Sequence, residues 1–133
     1  MRLDDLMDEL FAVLADVPGL TDPPPGSMRI TPPAPFADLP EITYGDYGPG
    51  LDRINDLALA VYFGPPNQEG AFRSALEYAS TTGPRSIPAA LAAHAWTTCH
   101  TLYVRSAEPT IDRVTGDPLL GYVFHLDITG ATS

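Results

Sequence analysis

LDRINDLALAVYF, residues 51–63, decides the fold. After Asp56 it is wholly apolar, and it is bounded by Gly-Pro-Gly at 48–50 and Gly-Pro-Pro at 64–66. An apolar run between two breaker clusters reads as a strand at the centre of a sheet. The partners for such a strand lie downstream. CHTLYVRSAE at 99–108 and LLGYVFHLDIT at 119–129 alternate in the β manner, and PTIDRVTGDP at 109–118, with its Thr-Gly-Asp-Pro turn signal, is expected to join them as an antiparallel hairpin.

Helices are expected to cover the sheet. Leu3, Leu6, Met7, Leu10, Phe11 and Leu14 form a continuous stripe at helical period, so residues 3–15 are predicted to be a helix. Asp4, Asp5, Asp8 and Glu9 occupy its other face, where they read as a solvated surface that also suits the dipole of the first turns. VPGL at 17–20 stops it: Pro18 breaks the ladder and Gly19 is free to take a positive φ. A second helix is predicted over 69–78, with Phe72, Leu76 and Ala79 at helical spacing and Asn67 as its N-cap. A short alanine-rich third follows Ser86 as N-cap, with Pro88 in the first turn. The expected fold class is α+β: a small mixed or antiparallel sheet flanked by an N-terminal helix and two further helices, with a C-terminal hairpin. At 133 residues the chain is expected to be a single domain.

Residues 22–40 are the anomaly. Seven prolines fall between Pro23 and Pro40, yet Met28, Ile30, Phe36 and Leu39 punctuate the stretch. A free linker has no use for such apolar anchors, so the segment reads as an extended arm packed on a surface, where proline lowers the entropy lost on ordering. YGDYGPG at 44–50 is expected to be a turn that offers Tyr44 and Tyr47 as contacts.

The chain carries 17 Asp and Glu against 7 cations, all of them arginine, for a net charge of −10. Eleven of the acids precede Leu57. Such a balance argues against adhesive binding of nucleic acid, which needs a basic face. No apolar run approaches the ~20 residues that span a bilayer, and the acid-interrupted N-terminus does not read as a secretion signal. The single cysteine, Cys99, excludes an intramolecular disulfide.

Catalytic signatures are sparse. His94, Cys99 and His100 are spaced as H-x4-C-H, which matches no closed zinc pattern. Cys99 with His100 or His125 and Asp127 has the residue types of a thiol nucleophile site, but adjacent strand residues point to opposite faces. A buried thiol and exposed histidines are expected instead. No dinucleotide, Walker, zincin or nucleophile-elbow motif occurs. No enzyme activity, cofactor or metal is expected.

Taken together, LDDLMDELFAVLADVPGL at 3–20, PPAPFADLPEITYGDYGPGLDRINDLALAVYFG at 32–64, SALEYASTTGPRSIPAALAAH at 74–94 and YVRSAEPTIDRVTGDPLLGYVFHLDI at 103–128 resemble, in their order, the tail terminator proteins of long-tailed (siphovirus-type) actinobacterial phages. The resemblance covers nearly the whole chain and includes no catalytic signature. It implies an α+β subunit that forms a homohexameric ring on the head-proximal end of the tail tube, ends tube growth, and joins the tail to the neck of the virion. The implied partners are further copies of the chain, the major tail tube protein and a head-closure or connector protein. Genomic DNA would pass through the lumen without specific binding, and no membrane is involved. On this reading Met28, Ile30, Phe36, Tyr44 and Tyr47 are candidate interface residues. Asp46, Asp52, Asp56, Asp112 and Asp117 are candidate lumen acids, because like charge lets DNA slide without sticking. The alternatives are a head-closure or connector neck protein, a small ligand-binding module or enzyme around Cys99, His100 and His125, and a monomeric adaptor that offers the proline arm as a ligand.

Overall fold

A computed structural model of the chain describes residues 2–20, 34–37, 42–44, 52–66, 69–113 and 118–130. The elements are α1 (Leu3–Ala15), β1 (Ala34–Ala37), β2 (Ile42–Tyr44), β3 (Asp52–Gly64), α2 (Glu69–Ala79), α3 (Ile87–Ala93), β4 (Thr101–Arg113) and β5 (Pro118–Thr129). The fold is α+β: one antiparallel sheet in the order β1-β3-β5-β4, with β2 also paired to β3.

β3 is the central strand. One of its edges carries two short partners, β1 opposite Leu59–Tyr62 and β2 opposite Asp52–Ile54. The other edge is filled by β5. Ile54, Leu57, Leu59, Val61 and Phe63 of β3 join Phe124, Leu126 and Ile128 of β5 and Leu102 of β4 in the main core, which the helices cover. α2 lies on β3 and β5, α3 on β4, and α1 against α3. Ala60, Tyr62 and Leu119 form a smaller cluster of their own. Gly121, paired with Tyr62, has no room for a Cβ, which would strike the Val61 carbonyl oxygen.

α1 buries Leu6, Leu10, Phe11 and Leu14, with Leu3 and Met7 partly covered. Each fully buried leucine contributes about 2 kcal/mol through the water it leaves. The helix ends as its sequence dictates. Gly19 takes φ 89°, and the Tyr78 hydroxyl donates to the Pro18 carbonyl at 2.6 Å, tying the end of α1 to α2. Tyr78 also stacks on Phe63, with ring centroids 5.3 Å apart. α3 starts as expected: Ser86 Oγ accepts from the Ala89 amide at 3.1 Å and donates to the Ser80 carbonyl.

Several expectations are corrected. α2 does not bury the stripe of Phe72 and Leu76; Ala71, Ala75 and Tyr78 face the sheet, and Phe72 and Leu76 face out. Two small alanines one turn apart suit a close approach of helix to strands, and Tyr78 stacks on Phe63 of β3. Of the proline arm, residues 34–37 are a strand of the chain's own sheet, in which Phe36 pairs with Ala60 of β3, and the rest of 22–40 lies outside the described residues. Pro35 is tolerated because β1 lies at the outer end of the strand order, where a missing N–H costs least. For the same reason β4 runs through Pro109 to Arg113, so half of the expected hairpin loop is strand. Cys99 and His100 precede β4 rather than opening it. Asn67 lies outside the described residues.

Gly19→Ala places a Cβ against the Tyr78 hydroxyl at a φ that side chains resist. It is expected to cost about 2 kcal/mol, the sum of backbone strain and a lost hydrogen bond. Tyr78→Phe, which loses only the bond, is expected to cost about 1 kcal/mol. Urea unfolding of the two variants measures both; equal losses would contradict the strain.

Candidate functional site

Two β-bulges face each other across β5. On β3 the register with β5 slips between Ile54 and Leu57; on β4 it slips between Val104 and Ser106. A bulge inserts one unpaired residue and re-aims its side chain. Here Asp56 belongs to the first bulge and Arg105 to the second, and the two side chains meet beside His125 and Asp127 of β5. His125 Nδ1 lies 2.7 Å from Asp56 Oδ1, and Arg105 Nη1 donates to Asp127 Oδ1 at 3.1 Å. Arg105 Nη2 stands 3.6 Å from Asp56 Oδ1, and His125 Nε2 stands 3.4 Å from Glu108 Oε1. The cluster thus ties three adjacent strands together on one face. Asp127 is nearly buried and Asp56 about half exposed.

Its chemistry is that of a structural crosslink. His125 Nε2 is closed to solvent and lacks a hydrogen bond of good geometry, so a substrate has no path to the one nitrogen that could serve as a base. Among the described residues no group of three or more His, Cys, Asp or Glu could hold a metal ion.

A second polar center lies on the helical side. Glu9 projects from α1 into the segment between α3 and β4. Both Thr98 groups donate to it, the hydroxyl at 2.6 Å and the amide at 3.0 Å. The Thr97 hydroxyl donates at 3.0 Å and its amide at 3.2 Å, and His94 Nε2 lies 2.9 Å away. Trp96 supports this segment by donating from Nε1 to the Leu91 carbonyl at 3.0 Å and by edge contact with His94. Burial opposes the charge on Glu9, but the bonds from the Thr98 hydroxyl, His94 and the Thr98 and Thr97 amides outweigh it, holding the carboxyl at about 2 against an ordinary 4.5. Glu9 is therefore no part of a solvated face, contrary to the expectation. Its partners are 85 or more residues away, so helical periodicity carries no sign of them.

The three residues of the thiol-site alternative do not converge. Cys99 is in the main core, where burial and then the nearby Glu9 charge push its thiol up to about 11. A thiol so placed is protonated near neutral pH and inert. His100 is exposed before β4, and His125 belongs to the cluster with Asp56. His125 also corrects the expectation of exposed histidines, since its side chain is largely buried.

Of the interface and lumen candidates, Met28, Ile30, Asp46, Tyr47 and Asp117 lie outside the described residues. The backbones of Phe36, Tyr44, Asp52 and Asp112 are placed in strands: Phe36 pairs with Ala60, Tyr44 with Asp52, and Asp112 with Leu119. Asp56 is engaged by His125 and Arg105 rather than standing as an isolated surface acid.

No protein-family model matches the chain, and neither does any curated protein or solved structure. Among the described residues, no helix is long and apolar enough to cross a membrane.

The Glu9 clamp gives stability a defined pH dependence. A depressed carboxyl contributes stability that is present above its unfolded value near 4.5 and is lost as pH falls through about 2. Glu9→Gln is expected to cost about 2 kcal/mol at pH 7. The gap between the two proteins should close between pH 4.5 and 2 in urea titrations. A gap that stays constant over that range would show that the charge is not what holds the segment.

Proposed function

We propose that the chain is a non-catalytic ring subunit of a phage tail, a terminator that closes the head-proximal end of the tail tube. The observation that supports this reading best is how the described residues distribute polar and apolar groups. Titratable side chains that converge are spent on one another, in the Glu9 clamp and in the Asp56, His125, Arg105 and Asp127 cluster. What the fold leaves outward is contact surface: Phe72 and Leu76 on α2, and Tyr103 and Ile111 on β4. β4, 13 residues long, ends the strand order, and no strand among the described residues pairs with its outer edge. Exposed apolar groups on two separate elements suit a subunit that meets neighbours on more than one side. The order of sequence segments that resembles the tail terminators adds the specific role. The acidic composition fits a passage for DNA, with Asp46, Asp52, Asp56, Asp112 and Asp117 as the candidate lumen acids.

The test is electron microscopy of the purified protein mixed with growing tail tubes. Density at one end of each tube, with elongation stopped, is expected. Tubes that lengthen unchanged would overturn the reading. Capping is expected to survive Cys99→Ala and His100→Ala, because Cys99 is buried in the core and, among the described residues, His100 belongs to neither polar cluster. Loss of infectivity from either change in normally assembled particles would point to chemistry instead.

A further inference from the structure

We propose that the trough between α1 and α3 receives a lysine side chain of a partner protein, with its ammonium group on the Asp16 carboxylate. This inference is independent of the tail reading. Ala12 and Val13 of α1 and Ala90 and Ala93 of α3 line a pocket of about 370 Å³. Leu10, Leu14 and Leu91 of the same helices are buried in the core, so small side chains are left to wall the trough. Glu9 and His94 also line it, as does Asp16, which stands seven residues beyond Glu9 and ~10 Å further along the helix.

The polar groups at the two ends differ. Glu9 is spent, because His94 and the hydroxyls and amides of Thr97 and Thr98 all bond to it. Asp16 is not: among the described residues, no ion pair or hydrogen bond engages its carboxylate. Glu9 is held ionised and can only accept, so His94 Nε2 carries the proton of that bond. In the neutral ring Nδ1 is then an acceptor; it has no partner among the described residues and is not closed to solvent. The trough therefore offers a carboxylate at one end, an imidazole acceptor at the other, and apolar walls between.

A lysine residue carries the complementary groups in the same order. Its ammonium donates to Asp16, its stem lies along the alanines and Val13, and its backbone N–H donates to His94 Nδ1. Lysine has the longer aliphatic stem of the two basic side chains, which suits apolar walls. It must come from another protein, because this chain contains no lysine. Ala12, Asp16 and Ala93 are exposed, so one flank of the trough is open. A free small amine draws its affinity from enclosure, whereas a side chain held by a partner does not need it. The net charge of −10 draws a basic partner in, and Asp8 lies one turn from Ala12 on α1.

Backbone amide shifts of the full chain, titrated at low salt with N-acetyl-lysine-N-methylamide, test this. Saturating shifts at Ala12, Val13, Asp16, Ala90 and Ala93 are expected. The norleucine analogue, which keeps an aliphatic stem and lacks the charge, is expected to bind at least tenfold more weakly. Three variants with changes at exposed positions separate the trough from general acidity. Asp16→Asn and Asp8→Asn remove the same charge, and only the first is expected to weaken binding, at least tenfold. Ala12→Leu keeps every charge and favours helix; it is expected to abolish saturation by filling the trough. Absence of saturating shifts at these residues, equal binding of the norleucine analogue, equal weakening by the two Asn variants, or unchanged binding to Ala12→Leu would each overturn the proposal. Tighter binding of the arginine analogue would overturn the assignment to lysine. The wild-type comparison of lysine with norleucine stands even if a variant folds poorly.

Discussion

The structure depends on filling both edges and the helical face of β3. Thirteen residues of extended backbone present a row of donors and acceptors on each side, and unpaired groups away from water are costly. β5 satisfies one edge over nearly its full length. The other is covered piecewise, by β1 over Leu59–Tyr62 and β2 over Asp52–Ile54. The proline-rich stretch between α1 and β3 is thus more than a connection, because part of it is needed to finish the sheet. The helices then close the apolar face, and β4, paired with β5 and covered by α3, becomes the outer edge.

The polar interactions follow from that frame. Antiparallel strands in perfect register would place Asp56 and Arg105 out of step with His125 and Asp127. Two bulges, one on each neighbour of β5, bring the four together. On the other side, Glu9 fastens α1 to the segment that leads from α3 into β4, reaching across 85 or more residues of sequence. Both arrangements lock elements that hydrophobic contact alone would leave free to slide. His125 Nε2 is enclosed within the first, whereas Glu9 and His94 of the second line a pocket between α1 and α3, together with Val13 and Ala90.

Much of this was legible in the chain. The stripe from Leu3 to Leu14, the apolar run after Asp56 and the alternation at 119–129 each express one periodicity, and each became the element expected. Ser86 and Gly19 were readable because caps and stops act within a few residues. What escaped depends on tertiary distance. Ala71 and Ala75 were overlooked beside Phe72 and Leu76 because size alone does not say which face approaches a sheet closely. Pro109 looked like the end of a strand, since nothing local tells that β4 is an edge. Glu9 looked like its solvated neighbours Asp5 and Asp8, and only the placement of Thr97 and Thr98 distinguishes it. The bulges were invisible for the same reason, as register is a property of two strands.

Self-association is the central claim of the proposed function. Native mass spectrometry of the chain, alone and with tail tubes, tests it most directly. A closed species of six copies, alone or released from tube ends, is the predicted result. A monomer at every concentration, with or without tubes, would contradict the account.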